Sequence, residues 1–314
     1  MRTLGVQVGH SIYTCWVHSR DDRRTSLIAH LPKISIVTPS LNQGRFIEDA
    51  ILSVLGQDYP SFEHIVIDGG STDETLATLR RYPHVRWVSE PDKGQSDALN
   101  KGFRMASGDL LGWLNVDEYY LPGAFEVAAE SWLSDPTIDM YYGDSIFVDQ
   151  SGQLQRTKRA HIFSFWVLLY YGPYISTDAM FFRRHLIDRG LFIDIDYRVV
   201  MDFEYFVRLA ICGCRFKYIN QLVGSFRWHA SNNSRLQHDK GREERLLVQR
   251  TWSRMKLPDY GYDALARLGQ LYRVALKVLN GNYRSELKIL RSRGRDTRWF
   301  LSEEGRKTCA SLLE

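Results

Sequence analysis

Two adjacent carboxylates end an apolar run in the segment GWLNVDEYY, residues 112 to 120. Asp117 and Glu118 offer oxygen atoms, the ligands that hard cations such as Mg²⁺ and Mn²⁺ take in proteins. Sites for these ions often use one or two carboxylates, while substrate phosphates supply further ligands, and the bound cation acts as a Lewis acid on a departing diphosphate. The same acids could instead cap a helix starting near Pro122, because negative side chains are favourable at a helix N-terminus.

A second pair of carboxylates lies in MDFEYFVRLA, residues 201 to 210. Asp202 and Glu204 stand at the start of an amphipathic helical pattern, and Arg208 on that helix can pair with a carboxylate. A carboxylate at the mouth of a site can serve as general base toward a sugar or water hydroxyl. An acid in the first turn of a helix is equally explained by its interaction with the helix dipole. The segment alone leaves both roles open.

A histidine and an arginine stand close together in FRWHASNNS, residues 226 to 234. His229 could bind a metal or a phosphate, and Arg227 could neutralise the charge of such a ligand, although a lone histidine is more often structural. A different segment, DGGSTD at residues 68 to 73, superficially suggests phosphate binding. It lacks both the GxGxxG pattern and the GK[ST] ending, so we predict neither a dinucleotide fingerprint nor a phosphate loop there.

Alternating strand and helix patterns must position these groups. Apolar β-branched runs occur in KISIVTPS, FEHIVID, VRWVS and DLLGWLN, and helical patterns separate them. This alternation predicts a mostly parallel sheet with helices on both faces, and ligands bind such sheets beyond the carboxyl ends of the strands. Four polar clusters fall at those ends: Thr38 to Asn42, Asp68 to Asp73, Glu90 to Asp97 and Asn115 to Glu118. We therefore expect one shared site at this edge of the sheet.

Composition and charge bound the class of protein. The 314 residues are 44% hydrophobic and 25% charged, which is ordinary for a soluble globular chain, and no apolar run approaches the roughly 20 residues of a membrane span. No signal-peptide pattern is found at the N-terminus, so we predict a cytoplasmic location. Residues 236–314 hold 17 Lys and Arg against 10 Asp and Glu. These basic helices could contact an anionic membrane at its inner face, whereas no motif predicts a nucleic-acid partner.

Six segments, in order and at the usual spacing, resemble the inverting family 2 glycosyltransferases of the GT-A fold. They are VTPSLNQGRFIEDAILSVLGQDYP, HIVIDGGSTDETL, VSEPDKGQSDALNKGFRMASGD, GWLNVDEYYLPGA, YGD and MDFEYFVRLA. The resemblance covers roughly residues 33 to 230. It implies an α/β fold with a Rossmann-like nucleotide-binding half, a mostly parallel central sheet flanked by helices, and C-terminal helices. We expect an N-terminal arm at 1–32, a GT-A domain at 33–235 and a helical extension at 236–314.

The resemblance also implies roles for single residues. Asp202 matches the catalytic base, and Asp117 the main ligand of a Mn²⁺ or Mg²⁺ ion. Glu118 would be a further metal contact, and His229 would contact the metal or the diphosphate. Asp68 would lie near the base of the nucleotide and Asp97 near its ribose or the sugar. The full set of expected nucleotide-sugar contacts is Pro39, Asn42, Asp68, Lys93, Gln95, Asp97 and Asn115.

Two departures from the family pattern concern the metal. Asn115 replaces the first acid of the DxD motif, which weakens metal affinity in principle, and Glu118 lengthens a ligand arm where an aspartate is common. The function that the resemblance implies is metal-dependent, inverting transfer of a sugar from a nucleotide-diphospho sugar, UDP-linked in our prediction, to a glycan or lipid-linked acceptor in the synthesis of cell-surface polysaccharide or glycoconjugate. A nucleotidyltransferase acting on sugar phosphates and a non-catalytic nucleotide- or glycan-binding protein are the alternatives.

Overall fold

The computed structural model describes residues 31–279 and 297–298. Its first part repeats a strand followed by a helix, as the sequence pattern predicts. The elements are β1 (Ile34–Ser40), α1 (Gly44–Leu55), β2 (Phe62–Asp68), α2 (Thr75–Leu79), β3 (Val85–Ser89), α3 (Gln95–Met105) and β4 (Leu110–Trp113). All seven residues of β1 are buried, because this strand lies between β2 and β4 and is covered on both faces.

The second part is less regular. Its elements up to the last strand are β5 (Tyr119–Tyr120), α4 (Ala124–Ser134), β6 (Met140–Val148), β7 (Leu154–Lys158), α5 (Phe165–Tyr171), a 3₁₀ turn (Thr177–Ala179), β8 (Met180–Arg183), α6 (His185–Asp188), α7 (Met201–Ile211) and β9 (Phe216–Arg227). Three helices follow: α8 (Asn233–Leu236), α9 (His238–Trp252) and α10 (Asp259–Leu279).

The strands form one sheet in the order β3-β2-β1-β4-β8-β6-β9-β5, with β7 paired to β6. The α/β architecture is as predicted, but the expectation of a mostly parallel sheet needs correction, because the sheet is mixed. Strands β1 to β4 pair in parallel, since crossover helices connect them. Strand β8 then pairs antiparallel with both β4 and β6, and β5 with β9, while β6 and β9 are parallel.

The helices after β9 pack on the main core. Leu246 and Val248 of α9 and Tyr262 and Leu276 of α10 are buried in the same cluster as the apolar face of α7. This packing supports α7, the helix whose first turn carries the predicted general base. Within the described residues, no helix is both long and apolar enough to cross a bilayer. The predicted arm at 1–32 lies almost wholly outside the described residues, and so does much of the extension beyond residue 279.

Candidate active site

A cavity of about 440 Å³ opens where β1 and β4 end and α3 and α7 begin. Its wall contains residues from all four of these places, which lie far apart in the sequence. Six of the predicted site residues belong to that wall: Pro39, Gln95, Asn115, Asp117, Glu118 and Asp202. Three of the four polar clusters expected at one edge of the sheet contribute to this wall, whereas the cluster Asp68 to Asp73 does not.

The carboxylate of Asp117 is held by two side chains from the segment after β9. His229 Nε2 lies 2.8 Å from Asp117 Oδ2, and the amide of Asn232 donates to the same oxygen at 3.2 Å. The backbone N–H of Ser231 donates to His229 Nδ1 at 3.3 Å, which assigns the ring proton to Nε2. The Nε2–H of His229 therefore donates to Asp117 Oδ2 and orients that carboxylate. The imidazole is buried, so its own position is fixed by packing.

Arg227, the last residue of β9, fixes the backbone of Asp117. Its guanidinium is 1% exposed, and Nε donates to the Asp117 carbonyl oxygen at 3.0 Å. Its other nitrogens donate to the carboxylate of Asp49 and to the carbonyl of Gln150. The idea that Arg227 neutralises a bound ligand is therefore wrong, because protein groups already use its charge.

Asn115, at the altered position of the DxD motif, connects three elements. Its Oδ1 accepts hydrogen bonds from Trp113 Nε1 and Gln95 Nε2, both at 2.7 Å, and its Nδ2 donates to Thr177 Oγ1 at 3.4 Å. A carboxylate could accept the first two bonds but could not donate the third. It would also add a negative charge beside Asp117. These contacts give a structural reason for an amide at this position.

The carboxylate of Glu118, a predicted metal contact, is buried and accepts hydrogen bonds from protein groups. Its Oε2 accepts from the Asn115 backbone N–H at 3.2 Å and from Thr177 at 3.4 Å, whereas the buried Oε1 has no partner among the described residues. Burial raises the pKa of Glu118 well above its usual range, and the nearby charges of Asp178 and Asp117 raise it further. Asp178 is itself wholly buried, which raises the pKa of that carboxyl as well.

Asp202 lies in the first turn of α7 and lines the cavity, where its Oδ1 accepts from the N–H of Phe203 at 2.8 Å. Burial raises the pKa of Asp202 above its usual value, while the positive charge of Lys158 acts in the opposite direction. A carboxylate with a raised pKa is a stronger base. Glu204, the other acid of this segment, forms an ion pair with Arg208 at 2.7 Å and does not line the cavity.

Lys158 is a neighbour of the site that the sequence analysis missed. It ends β7, and its Nζ lies 3.4 Å from Ser176 Oγ. Burial lowers the pKa of Lys158, and the surrounding charges of Asp178, Asp202 and Glu118 counteract that effect. No motif in the sequence marks this lysine, because it is separated from each of the three acids by at least 20 residues.

The remaining predicted contacts lie outside the cavity wall. The buried carboxylate of Asp68 accepts hydrogen bonds from Ser71, from the Gly70 backbone and from Ser89, so it holds its own loop in shape. Asn42 accepts from the N–H of Thr72. A contact between Asp68 and the base of a nucleotide stays a prediction, as does a direct contact of Asn42.

Two further predicted contacts belong to the loop before α3. Asp97 accepts from the backbone N–H of Lys93 at 3.0 Å, and the Lys93 side chain is exposed to solvent. Neither residue lines the cavity, although Gly94 and Gln95 beside them do. The expected contacts of Asp97 and Lys93 with a nucleotide sugar therefore also stay predictions.

The donor set fits a cation that takes most of its ligands from a substrate. Among the described residues, no three His, Cys, Asp or Glu side chains converge as a metal site. Asp117 lines the cavity, and its Oδ1 accepts no hydrogen bond from a described residue. One such carboxylate is enough where phosphate oxygens and water complete the shell of Mg²⁺ or Mn²⁺.

The chain is similar in sequence to two chondroitin synthases. It is 24% identical over 281 residues to chondroitin synthase of Escherichia coli, covering 86% of this chain and 40% of that protein. It is 28% identical over 263 residues to chondroitin synthase of Pasteurella multocida (strain Pm70), covering 78% and 26%. The chain thus spans less than half the length of these two relatives.

Solved structures share the fold. TarS 1-349 of S. aureus in complex with UDP matches with a TM-score of 0.54 at 17% identity, over 74% of this chain and 69% of that one. The mannosyltransferase PcManGT from Pyrobaculum calidifontis, in complex with GDP-Man and Mn²⁺, matches with a TM-score of 0.53 at 18% identity, over 87% and 86%. Residues 35–209, more than half of the chain, match the family described as Glycosyl transferase family 2. The chain therefore belongs to glycosyltransferase family 2, as the resemblance of its six segments predicted.

Proposed function

We propose that this glycosyltransferase moves a sugar from a UDP-linked donor to a hydroxyl group of a glycan or lipid-linked acceptor, with inversion at the anomeric carbon, in the synthesis of polysaccharide or glycoconjugate. The observation that carries the proposal is that Asp117 and Asp202 line the same cavity. The UDP complex of the structurally similar TarS and the chondroitin synthases among the relatives support it. Cytoplasmic location and contact of the basic C-terminal helices with an anionic inner membrane face stay predictions.

The reaction needs a base on one side of the sugar and stabilised negative charge on the other. Asp202 accepts the proton of the acceptor hydroxyl, and that oxygen then displaces the nucleoside diphosphate from the opposite face of the anomeric carbon. A single displacement inverts the configuration and needs one carboxylate base, unlike a route through a covalent intermediate. Asp117 would hold Mg²⁺ or Mn²⁺, which when bound supplies Lewis-acid stabilisation of the leaving diphosphate.

The neighbouring residues prepare these two carboxylates. His229 and Asn232 orient Asp117, and the nearby ammonium of Lys158 favours the ionised form of Asp202. Burial acts in the opposite direction and keeps the pKa of Asp202 above that of a solvated aspartate. A carboxylate whose pKa is raised by burial is a stronger base toward the acceptor hydroxyl once it is ionised.

Thermal unfolding in the presence of UDP, GDP, CMP or dTDP, each with Mn²⁺, with Mg²⁺ and with EDTA, tests the donor class. A ligand at a hundredfold excess over its dissociation constant adds about 2.7 kcal/mol to stability. We expect UDP to stabilise the chain only when a divalent ion is present. If a nucleotide other than UDP stabilises the chain and UDP does not, the assignment of a UDP-linked donor is wrong. If UDP stabilises the chain equally in EDTA, nucleotide binding does not require a divalent ion.

Product analysis separates the proposed reaction from its alternatives. The protein is incubated with UDP-sugars and a panel of glycan acceptors, and separately with UTP plus a sugar phosphate. Release of UDP with formation of a new glycosidic bond supports the proposal. Release of diphosphate from UTP would indicate a nucleotidyltransferase, and nucleotide-sugar binding with neither transfer nor slow hydrolysis would indicate a binding protein.

A further inference from the structure

A second cavity of about 300 Å³ adjoins the candidate active site. Gly94, Gln95, Met201 and Asn233 line both cavities, so the two share a wall. The rest of the second cavity includes Arg198 and Lys240, together with polar side chains such as that of Gln237. Neither Arg198 nor Lys240 has a role in the proposed reaction.

The two cavities differ in charge. Among the described residues, the first is lined by four acids and by no lysine or arginine: the acids are Asp92, Asp117, Glu118 and Asp202. The second is lined by Arg198 and Lys240 and, within the part of the chain that the structure describes, by no aspartate or glutamate. A cation therefore suits the first cavity, and an anion suits the second.

Arg198 has hydrogen-bonding capacity left for a ligand. One of its terminal nitrogens donates to the carbonyl oxygen of Lys93, and it forms no ion pair with a described residue. Its remaining guanidinium N–H groups match the geometry of a carboxylate or phosphate. Lys240 lies 3.9 Å from the carboxylate of Glu244, a distance at the limit of an ion pair.

Glu244 fixes the position of Arg198 relative to the general base. Its carboxylate accepts the backbone N–H groups of Arg198, Val199 and Val200, at distances from 2.9 to 3.2 Å. These bonds tie α9 to the residues immediately before α7, and Asp202 lies four positions after Arg198. Arg198 is thus fixed close to the first turn of α7, which carries the proposed base Asp202.

We propose that the second cavity binds an anionic group of the acceptor, a sugar carboxylate or a phosphodiester, next to the hydroxyl that Asp202 deprotonates. This inference rests on the proposed function, because it assigns the acceptor of that same site. The diphosphate of the donor is an anion of similar chemistry, so the experiment must separate the two sources.

Calorimetric titration of the full chain, saturated with UDP and Mn²⁺, measures the binding of three probes. Tetragalacturonate carries carboxylates, a tri(glycerol phosphate) carries phosphodiesters, and maltotetraose is neutral. We expect at least one anionic probe to bind about tenfold or more tightly than maltotetraose, and Arg198→Gln and Lys240→Gln each to weaken that binding by roughly tenfold, as loss of a charged hydrogen-bond partner does. Arg80→Gln is the control, because Arg80 is exposed and lines neither cavity.

UDP affinity, measured in the same variants, identifies the source of the anion. Unchanged UDP affinity with weakened binding of the anionic probe supports the acceptor assignment. A loss of UDP affinity in Arg198→Gln would assign the cations to the donor diphosphate and overturn the proposal. Equal affinity for anionic and neutral probes, or no effect of either substitution, would also overturn it. If wild type binds no nucleotide, the proposed function fails, whereas titration of the same probes without UDP still tests the charge preference.

Discussion

The imidazole of His229 lies 2.8 Å from the carboxylate of Asp117, although 112 residues separate them in the chain. Asp117 follows the end of β4, in the parallel part of the sheet, and His229 follows the end of β9, in the mixed part. The candidate metal ligand and its orienting partner therefore come from the two differently built halves of the fold. This relationship makes the second half necessary for the site and not only for packing.

Substituting His229 tests whether it orients Asp117. His229→Ala leaves Asn232 as the other donor to Asp117 Oδ2. Because loss of a residue that orients a metal ligand typically lowers metal affinity about 10- to 100-fold, we expect the Mn²⁺ concentration for half-maximal stabilisation of the UDP complex to rise by that factor. Thermal unfolding over a Mn²⁺ series measures it.

His185→Ala provides the matched control. His185 also contacts an aspartate, Asp139, at 2.8 Å, but its side chain is 42% exposed and it does not line the cavity. We expect no change in the Mn²⁺ midpoint for this variant. An equal rise in both variants, or no rise in His229→Ala, would contradict the orienting role.

Substituting Asp202 tests the general base. Asp202→Asn retains the size of the side chain but cannot accept the acceptor proton, so we expect kcat for transfer to fall about 10²- to 10⁴-fold while the affinity for UDP is retained. Asp196→Asn is the control, since Asp196 is exposed and does not line the cavity. Initial rates and nucleotide titrations measure the two quantities. Full activity of Asp202→Asn would exclude the assigned role.

Removing Lys158 should change the pH dependence of the reaction. Burial raises the pKa of Asp202, and the positive charge of Lys158 offsets part of that rise. In Lys158→Met the pKa of Asp202 rises further, so we expect the acid limb of the kcat profile to move to higher pH. Lys217→Met serves for comparison, because Lys217 Nζ also bonds a serine, Ser134, away from the cavity. An unmoved acid limb in Lys158→Met would show that the two groups do not interact.

His64 on β2 makes stability depend on pH. It is 1% exposed, and burial lowers the pKa of His64 to about 3. Below a pH of about 6.5 the imidazole of His64 takes up a proton in the unfolded chain but not in the folded chain. The stabilisation that is present above that pH is therefore lost as the pH falls toward 3. We expect wild type to lose up to about 1.4 kcal/mol per pH unit more than His64→Gln in this window.

Urea unfolding at pH 7, 6, 5 and 4 measures the free energy for the His64 comparison. His238→Gln should retain the slope of wild type, because its side chain is 82% exposed. Parallel curves for wild type and His64→Gln would mean that this histidine does not contribute to the pH dependence. A lower but parallel curve would show that the substitution removes only packing and the hydrogen bond to Thr38.

Several features of the site follow from the tertiary fold, and no local pattern indicates them. Strand β8 pairs antiparallel with β4, because after β4 the chain no longer alternates strands with crossover helices. Lys158 approaches Asp202, and Asn232 reaches Asp117, only because β7 and β9 join the sheet through β6. Arg198 and Lys240 form a positive cavity only after α9 packs beside the start of α7.

Local sequence patterns were enough to predict the first four strands, the helix over residues 201–211 and the grouping at one sheet edge of five cavity residues: Pro39, Gln95, Asn115, Asp117 and Glu118. These follow from short-range causes: the period of apolar residues selects strand or helix, and successive parallel strands present their carboxyl ends on one side. Which distant side chains meet, and whether a predicted contact such as Asp68 faces the cavity or its own loop, depends on long-range packing that a local pattern does not encode.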